Sequence, residues 1–166
     1  MKPIIKSLVF SALAIFATSC ERPKTIEESL VGKWKYTIEI AFTGTNYNTG
    51  LSISKSENFS GTFTWDDYLD GYLEGDLEDS FIDGYIHDDY LELYEEVQLG
   101  LLHGFSWSKD NVEYEAYCDW EFVPIKYKQK EFRVTEGKLS WVEVTYPDGS
   151  KIFCTNVKAT LEARKK

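Results

Sequence analysis

Apolar and polar residues alternate along most of the chain beyond residue 25. Trp34, Tyr36, Ile38, Ile40 and Phe42 take every second place, with Lys35, Thr37, Glu39 and Ala41 between them. A period of two puts one set on a buried face and the other in solvent, which predicts a half-buried strand. Leu51 and Ile53 mark a second strand, and Phe59, Gly61, Phe63 and Trp65 a third. Residues 112–123 alternate for longer, with Val112, Tyr114, Ala116, Cys118, Trp120 and Phe122 on one face. Pro124 interrupts, and residues 125–134 give a weaker, basic strand. Residues 139–146 and 151–162 flank Tyr146-Pro147-Asp148-Gly149-Ser150, whose Pro and Gly suit a tight reversal. Gly100 to Phe105 reads as either a strand or a covering loop. Before the first strand, Thr25-Ile26-Glu27-Glu28 has the Thr-x-x-Glu form of a capping box. A short helix therefore runs to Leu30, and Gly32 stops it.

The middle of the chain carries a near-repeat. Tyr68-Leu69-Asp70-Gly71-Tyr72-Leu73 returns as Phe81-Ile82-Asp83-Gly84-Tyr85-Ile86. Asp-Gly is a hairpin-turn signal, so both pairs could be turns with one strand between them. Keeping each Asp-Gly inside a strand, with turns near 78–80 and 87–89, gives cleaner faces and is preferred. Leu69, Gly71, Leu73, Gly75 and Leu77 then point inward, followed by Ile82, Gly84 and Ile86, then Leu91 and Leu93. The expectation is an all-β antiparallel meander of about nine or ten strands with one short N-terminal helix. Closing it fully or nearly into a β-barrel removes exposed sheet edges.

The first residues follow another pattern. Lys2 and Lys6 precede the apolar run Leu8 to Phe16, which ends in Ala17-Thr18-Ser19-Cys20. A charged head, a short apolar run and small residues before a cut form a secretory signal, too short for a permanent membrane span. Residues 1–19 are read as signal peptide, 20–24 as tether and 25–166 as the β-domain. Cleavage removes two lysines and no acid, taking the net charge from −10 to −12. Such a chain should repel nucleic acid. Cys118 and Cys154 remain in an oxidising compartment that permits a disulfide, but the strand phases put them on opposite faces, against pairing.

Two resemblances follow. Ala17-Thr18-Ser19-Cys20 resembles the lipobox of bacterial lipoproteins. That implies diacylglycerol on the Cys20 thiol, a fatty acid such as palmitate on its new amine, and a stable anchor in the bacterial cell envelope, at the outer membrane. Gly32-Lys33-Trp34, entering the first strand after a short helix, resembles the Gly-x-Trp start of lipocalins and lipocalin-like bacterial lipoproteins. It implies a barrel whose base Trp34 closes, with Arg164, or less well Arg133, packing over that ring. The family's mid-chain Thr-Asp-Tyr motif is not found. The implied function is binding of a small apolar or amphiphilic ligand, with Trp34, Tyr36, Ile38, Phe63, Trp120 and Phe122 lining the site.

Charge is segregated. Between Lys55 and Lys109 there is no Lys or Arg, but fourteen acids. On the preferred strand phases, Tyr68, Asp70, Tyr72 and Glu74 share a face with Asp83 and Tyr85 and with Glu92 and Tyr94. Aromatic rings alternating with carboxylates offer flat apolar area beside hydrogen-bond acceptors. This face could dock a basic protein or a carbohydrate, without any cavity, or be a solvated sheet face. Spacing from Asp66 or Asp79 fails the calcium-loop pattern, and His87 and His103 have no neighbouring Cys or His for zinc. No nucleophile elbow or phosphate loop occurs. Neither metal, cofactor nor enzymatic activity is expected.

Overall fold

A computed structural model describes residues 25–46, 48–78, 80–88, 95–98, 104–121, 123–125 and 128–166. Residues 1–24, which include Cys20 and the stretches read above as signal peptide and tether, lie outside them. Helix α1 (Ile26–Leu30) leads into β1 (Gly32–Thr45) and β2 (Ser52–Trp65). β3 (Asp70–Gly75), β4 (Phe81–Asp83), β5 (Tyr85–Asp88), β6 (Glu95–Gln98) and β7 (Phe105–Lys109) follow. β8 (Val112–Tyr117), β9 (Val123–Ile125), β10 (Glu131–Thr135), β11 (Trp141–Thr145), β12 (Lys151–Cys154) and β13 (Asn156–Lys165) complete the chain.

Among the described residues the chain is all-β apart from this helix, and its sheets are antiparallel. One sheet has the order β10-β13-β1-β2-β3-β4, a second β12-β11-β8-β7, and a third β5-β6-β9. Among the described residues these strands do not close into one barrel. The first sheet is nonetheless strongly curled. Phe132 on β10 lies 5.3 Å from the Trp34 ring and stacks on Trp65 of β2 at 5.7 Å, although β13 and β1 separate β10 from β2. Phe42 and Phe59, from β1 and β2, meet Trp107 of β7 at 6.2 and 5.1 Å, so the first two sheets share one core.

The helix forms as its sequence directs. Thr25 Oγ1 accepts the Glu28 amide and Glu28 Oε2 accepts the Thr25 amide, both at 3.3 Å, which is the reciprocal capping box. In the second sheet, between β11 and β12, the Gly149 amide donates to the Tyr146 carbonyl, and Gly149 sits at φ 81° in the anticipated turn.

Several boundaries differ from expectation. The strands marked by Ile53 and Phe59 are one, β2, which inserts Lys55 and Glu57 into the inward face. Residues 112–123 are not one strand: β8 ends at Tyr117, and Trp120 makes only an isolated bridge to Glu136. Residues 151–162 are not one strand either. Ile152 and Cys154 point inward, Thr155 and Asn156 both point out, and the inward set resumes at Val157, Ala159 and Leu161. Two successive outward residues shift the phase, as a bulge does. The break lets one chain segment serve both sheets, with β12 paired to β11 and β13 to β1. Cys154 therefore points inward, like Cys118, and both thiols are buried and free.

The Asp-Gly pairs are not turns. Asp70-Gly71 lies inside β3, and Asp83-Gly84 joins β4 to β5. Leu69, Gly71, Leu73, Leu77, Ile82 and Gly84 are buried as anticipated, but Gly75 is exposed at the strand end. The turn anticipated at 87–89 is not found at His87 and Asp88, since β5 continues to Asp88; Asp89, Leu91 and Leu93 lie outside the described residues.

At Gly61 the neighbouring β3 backbone leaves no room for a side chain. A Cβ there would fall 1.8 Å from the Glu74 carbonyl oxygen and 2.8 Å from the Tyr36 ring. Backbone cannot yield as a side-chain tip can, so Gly61→Ala should cost at least about 1–3 kcal/mol. The midpoint of urea unfolding reads this directly; an unchanged midpoint would contradict the packing.

Candidate functional site

The proposed lining residues come together, but as packing. Trp34, Tyr36, Ile38, Phe63 and Trp120 are all buried, and Phe122 lies outside the described residues. Trp34 stacks parallel to Phe63 at 6.2 Å and meets Trp65 edge-on at 5.6 Å. Its indole Nε1 donates to the Leu30 carbonyl at 2.8 Å, which fastens α1 across this end of the sheet. The cation over the Trp34 ring is Lys165, with Nζ 5.8 Å from the centroid, and not Arg164 or Arg133. Arg164 and Arg133 lie on the outer face, paired with Glu131 at 2.8 Å and Glu162 at 3.3 Å. Neighbouring positions on a strand face opposite ways, so the residue after Arg164 is the one that reaches the core.

The interior holds polar groups that alternation did not reveal. Lys55 reaches the Tyr114 hydroxyl and lies 4.7 Å from that ring's centroid. Trp107 stacks on the Tyr114 ring at 4.9 Å. Glu57, nearby on β2, pairs with Lys109 at 2.8 Å. The indole Nε1 groups of Trp65, Trp107 and Trp120 are buried without an acceptor.

The outer face of β3 and β4 has a different character. Tyr68 is 83% exposed, Tyr72 67% and Phe81 40%. The Tyr72 and Phe81 rings meet edge-on at 5.4 Å, which holds an apolar patch open to solvent. Carboxylates surround it. Asp66 Oδ1 accepts the amides of Tyr68 (2.8 Å) and Asp70 (3.0 Å), fixing the turn that presents Tyr68. Glu74 Oε2 accepts from the Thr62 hydroxyl at 2.7 Å and Lys33 Nζ at 3.0 Å. Those donors, Thr62 first, hold its carboxyl below the usual range. Asp76 Oδ2 accepts the Ser60 amide at 2.7 Å. Asp70 is exposed, and Asp83 sits opposite it in the strand register. Glu92 and Tyr94 lie outside the described residues, as do the side chains of Asp83 and Tyr85. The face is therefore described from Tyr68 to Phe81.

A second outer strip was not anticipated. Tyr117 stacks on Trp141 at 5.9 Å, and Trp141 meets Phe153 at 5.2 Å across β8, β11 and β12. The phase shift at Thr155 is what turns Phe153 outward, and no period-of-two reading contains it. Beside the strip, Glu113, Glu115, Glu143 and Lys151 line a concavity of about 450 Å³. Among the described residues no group of three His, Cys, Asp or Glu side chains could hold a metal ion.

No known protein-family model matches the chain, and no curated protein matches it.

Burial, with the Glu136 charge adding to it, pushes the Cys118 thiol up to about 12; burial alone raises Cys154. The folded protein holds these protons more tightly than the unfolded chain. Their contribution to stability is complete below about pH 8.5 and is lost as pH rises towards 12. At pH 8 iodoacetamide should leave both thiols unmodified in the native protein while labelling the urea-unfolded chain. Stability should fall above about pH 9, and less steeply in Cys118→Ala. Rapid native labelling would contradict the burial.

Proposed function

We propose that the protein is a lipid-anchored, lipocalin-like lipoprotein of the bacterial cell envelope that docks a basic protein partner. The docking surface is the outer face of β3 and β4. One observation carries this reading: exposed Tyr72 and Phe81 meet on the outer face of β3 and β4, exposed Tyr68 stands on the turn that leads into β3, and Asp66, Asp70, Glu74 and Asp76 lie around them. Exposed aromatic anchors supply most of the energy in protein interfaces. Surrounding carboxylates add long-range attraction for a cationic surface and select against acidic ones. The lipobox-like Ala17-Thr18-Ser19-Cys20 supports anchoring, and the curled sheet entered by Gly32-Lys33-Trp34 supports the lipocalin-like likeness.

A second reading, binding of a small amphiphilic ligand between the sheets, is favoured by the three indole N–H groups that lack acceptors. A ligand oxygen beside Lys55 and Trp107 would satisfy one of them. The outer face ranks first because the rings of Trp34, Phe63, Trp65 and Phe132 already fill much of the interior with one another.

Lysozyme serves as a strongly basic probe. Immobilised protein should retain it at low salt, with affinity falling steeply towards about 0.15 M ionic strength. Replacing Tyr68 and Tyr72 together by Ala should weaken retention about tenfold or more while leaving the melting temperature unchanged, because both side chains are exposed. Binding that ignores salt, or no binding to the probe at low salt, would overturn the reading.

A further inference from the structure

The net acidity of the chain hides a basic sector. Helix α1, where the described chain begins, lies against the end of β13 and the approach to β10. Lys165 Nζ donates to the Ser29 carbonyl at 2.7 Å, and the Lys128 amide donates to Ser29 Oγ at 3.2 Å. The Lys165 amide bonds the Lys130 carbonyl at 2.7 Å, and the Lys166 amide bonds the Lys33 carbonyl at 2.9 Å. Five lysines, at 33, 128, 130, 165 and 166, are thus gathered around the start of the domain. Lys128, Lys130 and Lys166 are exposed, and Lys33 is half exposed. Their crowding is felt: burial, and then the neighbouring charge of Lys130, lower the pKa of Lys165. The nearby acids are largely engaged. Glu28 caps the helix, Glu131 pairs with Arg164, and Glu74 pairs with Lys33.

The tether fixes what this sector can face. Only Glu21, Arg22, Pro23 and Lys24 separate Cys20 from Thr25. Fully extended, that chain spans at most about 18 Å. If Cys20 sits in the leaflet, the tether is short enough for the lysine sector to reach the headgroups.

We infer that the lysine sector around α1 is a membrane footing, which rests on the anionic phospholipid headgroups of the leaflet that holds the anchor. The inference depends on the lipid-anchored reading of Cys20. Each basic residue close to an anionic leaflet strengthens attachment about fivefold, an effect confined to roughly a Debye length of 8 Å. The footing also sets orientation. Gly32 pairs with Trp65, so the β2–β3 turn closes the same end of the sheet, carrying Asp66, Asp67 and Asp70. Attraction at the lysines and repulsion at these acids tilt the domain, turning Tyr68 and Tyr72 towards the aqueous side.

The test uses the protein purified from its native membrane and placed in nanodiscs of phosphatidylcholine, with or without phosphatidylglycerol. Brief acetylation followed by mass spectrometry reads each lysine. Lys128, Lys130 and Lys166 should be at least about threefold less labelled on anionic discs than on neutral ones. Lys109 and Lys151, towards the opposite end of the fold, should label equally on both. The same spectra report the mass on Cys20. A lipid on Cys20 with equal labelling on the two discs would overturn the footing alone. An unmodified Cys20 would overturn the anchor and the footing together.

Discussion

The fold depends on one aromatic cluster. Trp34, Phe63, Trp65 and Phe132 come from three strands of one sheet, and they can meet only if that sheet curls. Each ring buries a large apolar area, and truncating one such residue to Ala typically costs about 3–5 kcal/mol. The indole bond to the Leu30 carbonyl and the Lys165 ammonium over Trp34 then tie the helix and the last strand to the cluster. Gly61 is the counterpart at the backbone level: it lets β3 close on β2 while Tyr36 packs beneath it.

Filling the interior in this way moves the candidate chemistry outward. The sheet that curls around the cluster carries opposite charges at its two sides. Its β10, β13 and β1 side is rich in lysine and arginine, while its β3 and β4 side is acidic and bears exposed Tyr72 and Phe81. Such a division is favourable for an anchored protein with two different contacts to make. One side can lie against phospholipid while the other meets a soluble partner, and neither contact needs a cavity.

Much of this was legible from alternation. β1 and the inward set Leu69, Gly71, Leu73, Leu77 and Ile82 follow from a period of two, and the capping box at Thr25 from local hydrogen-bonding chemistry. Exposure of Tyr68 and Tyr72 was equally readable. The misses share a cause. Two outward residues at Thr155 and Asn156 reverse the phase of β12, which moved Cys154 inward and Phe153 outward. Lys55 and Glu57 interrupt the apolar set of β2, so one strand read as two; their partners Tyr114 and Lys109 are far away in sequence. Lys165 over Trp34 could not be separated from Arg164, because a one-residue step decides which side chain enters the core.

The central claim is that the protein works through its outer surface around a core filled by its own rings. Native mass spectrometry of the full-length gene product, purified in a mild detergent, tests this most directly. The account predicts the mass of the polypeptide, with the lipid proposed on Cys20, and nothing more. A further retained mass of a few hundred daltons, lost on unfolding, would contradict it. Function would then return to the interior, beside Lys55, Trp107 and Tyr114.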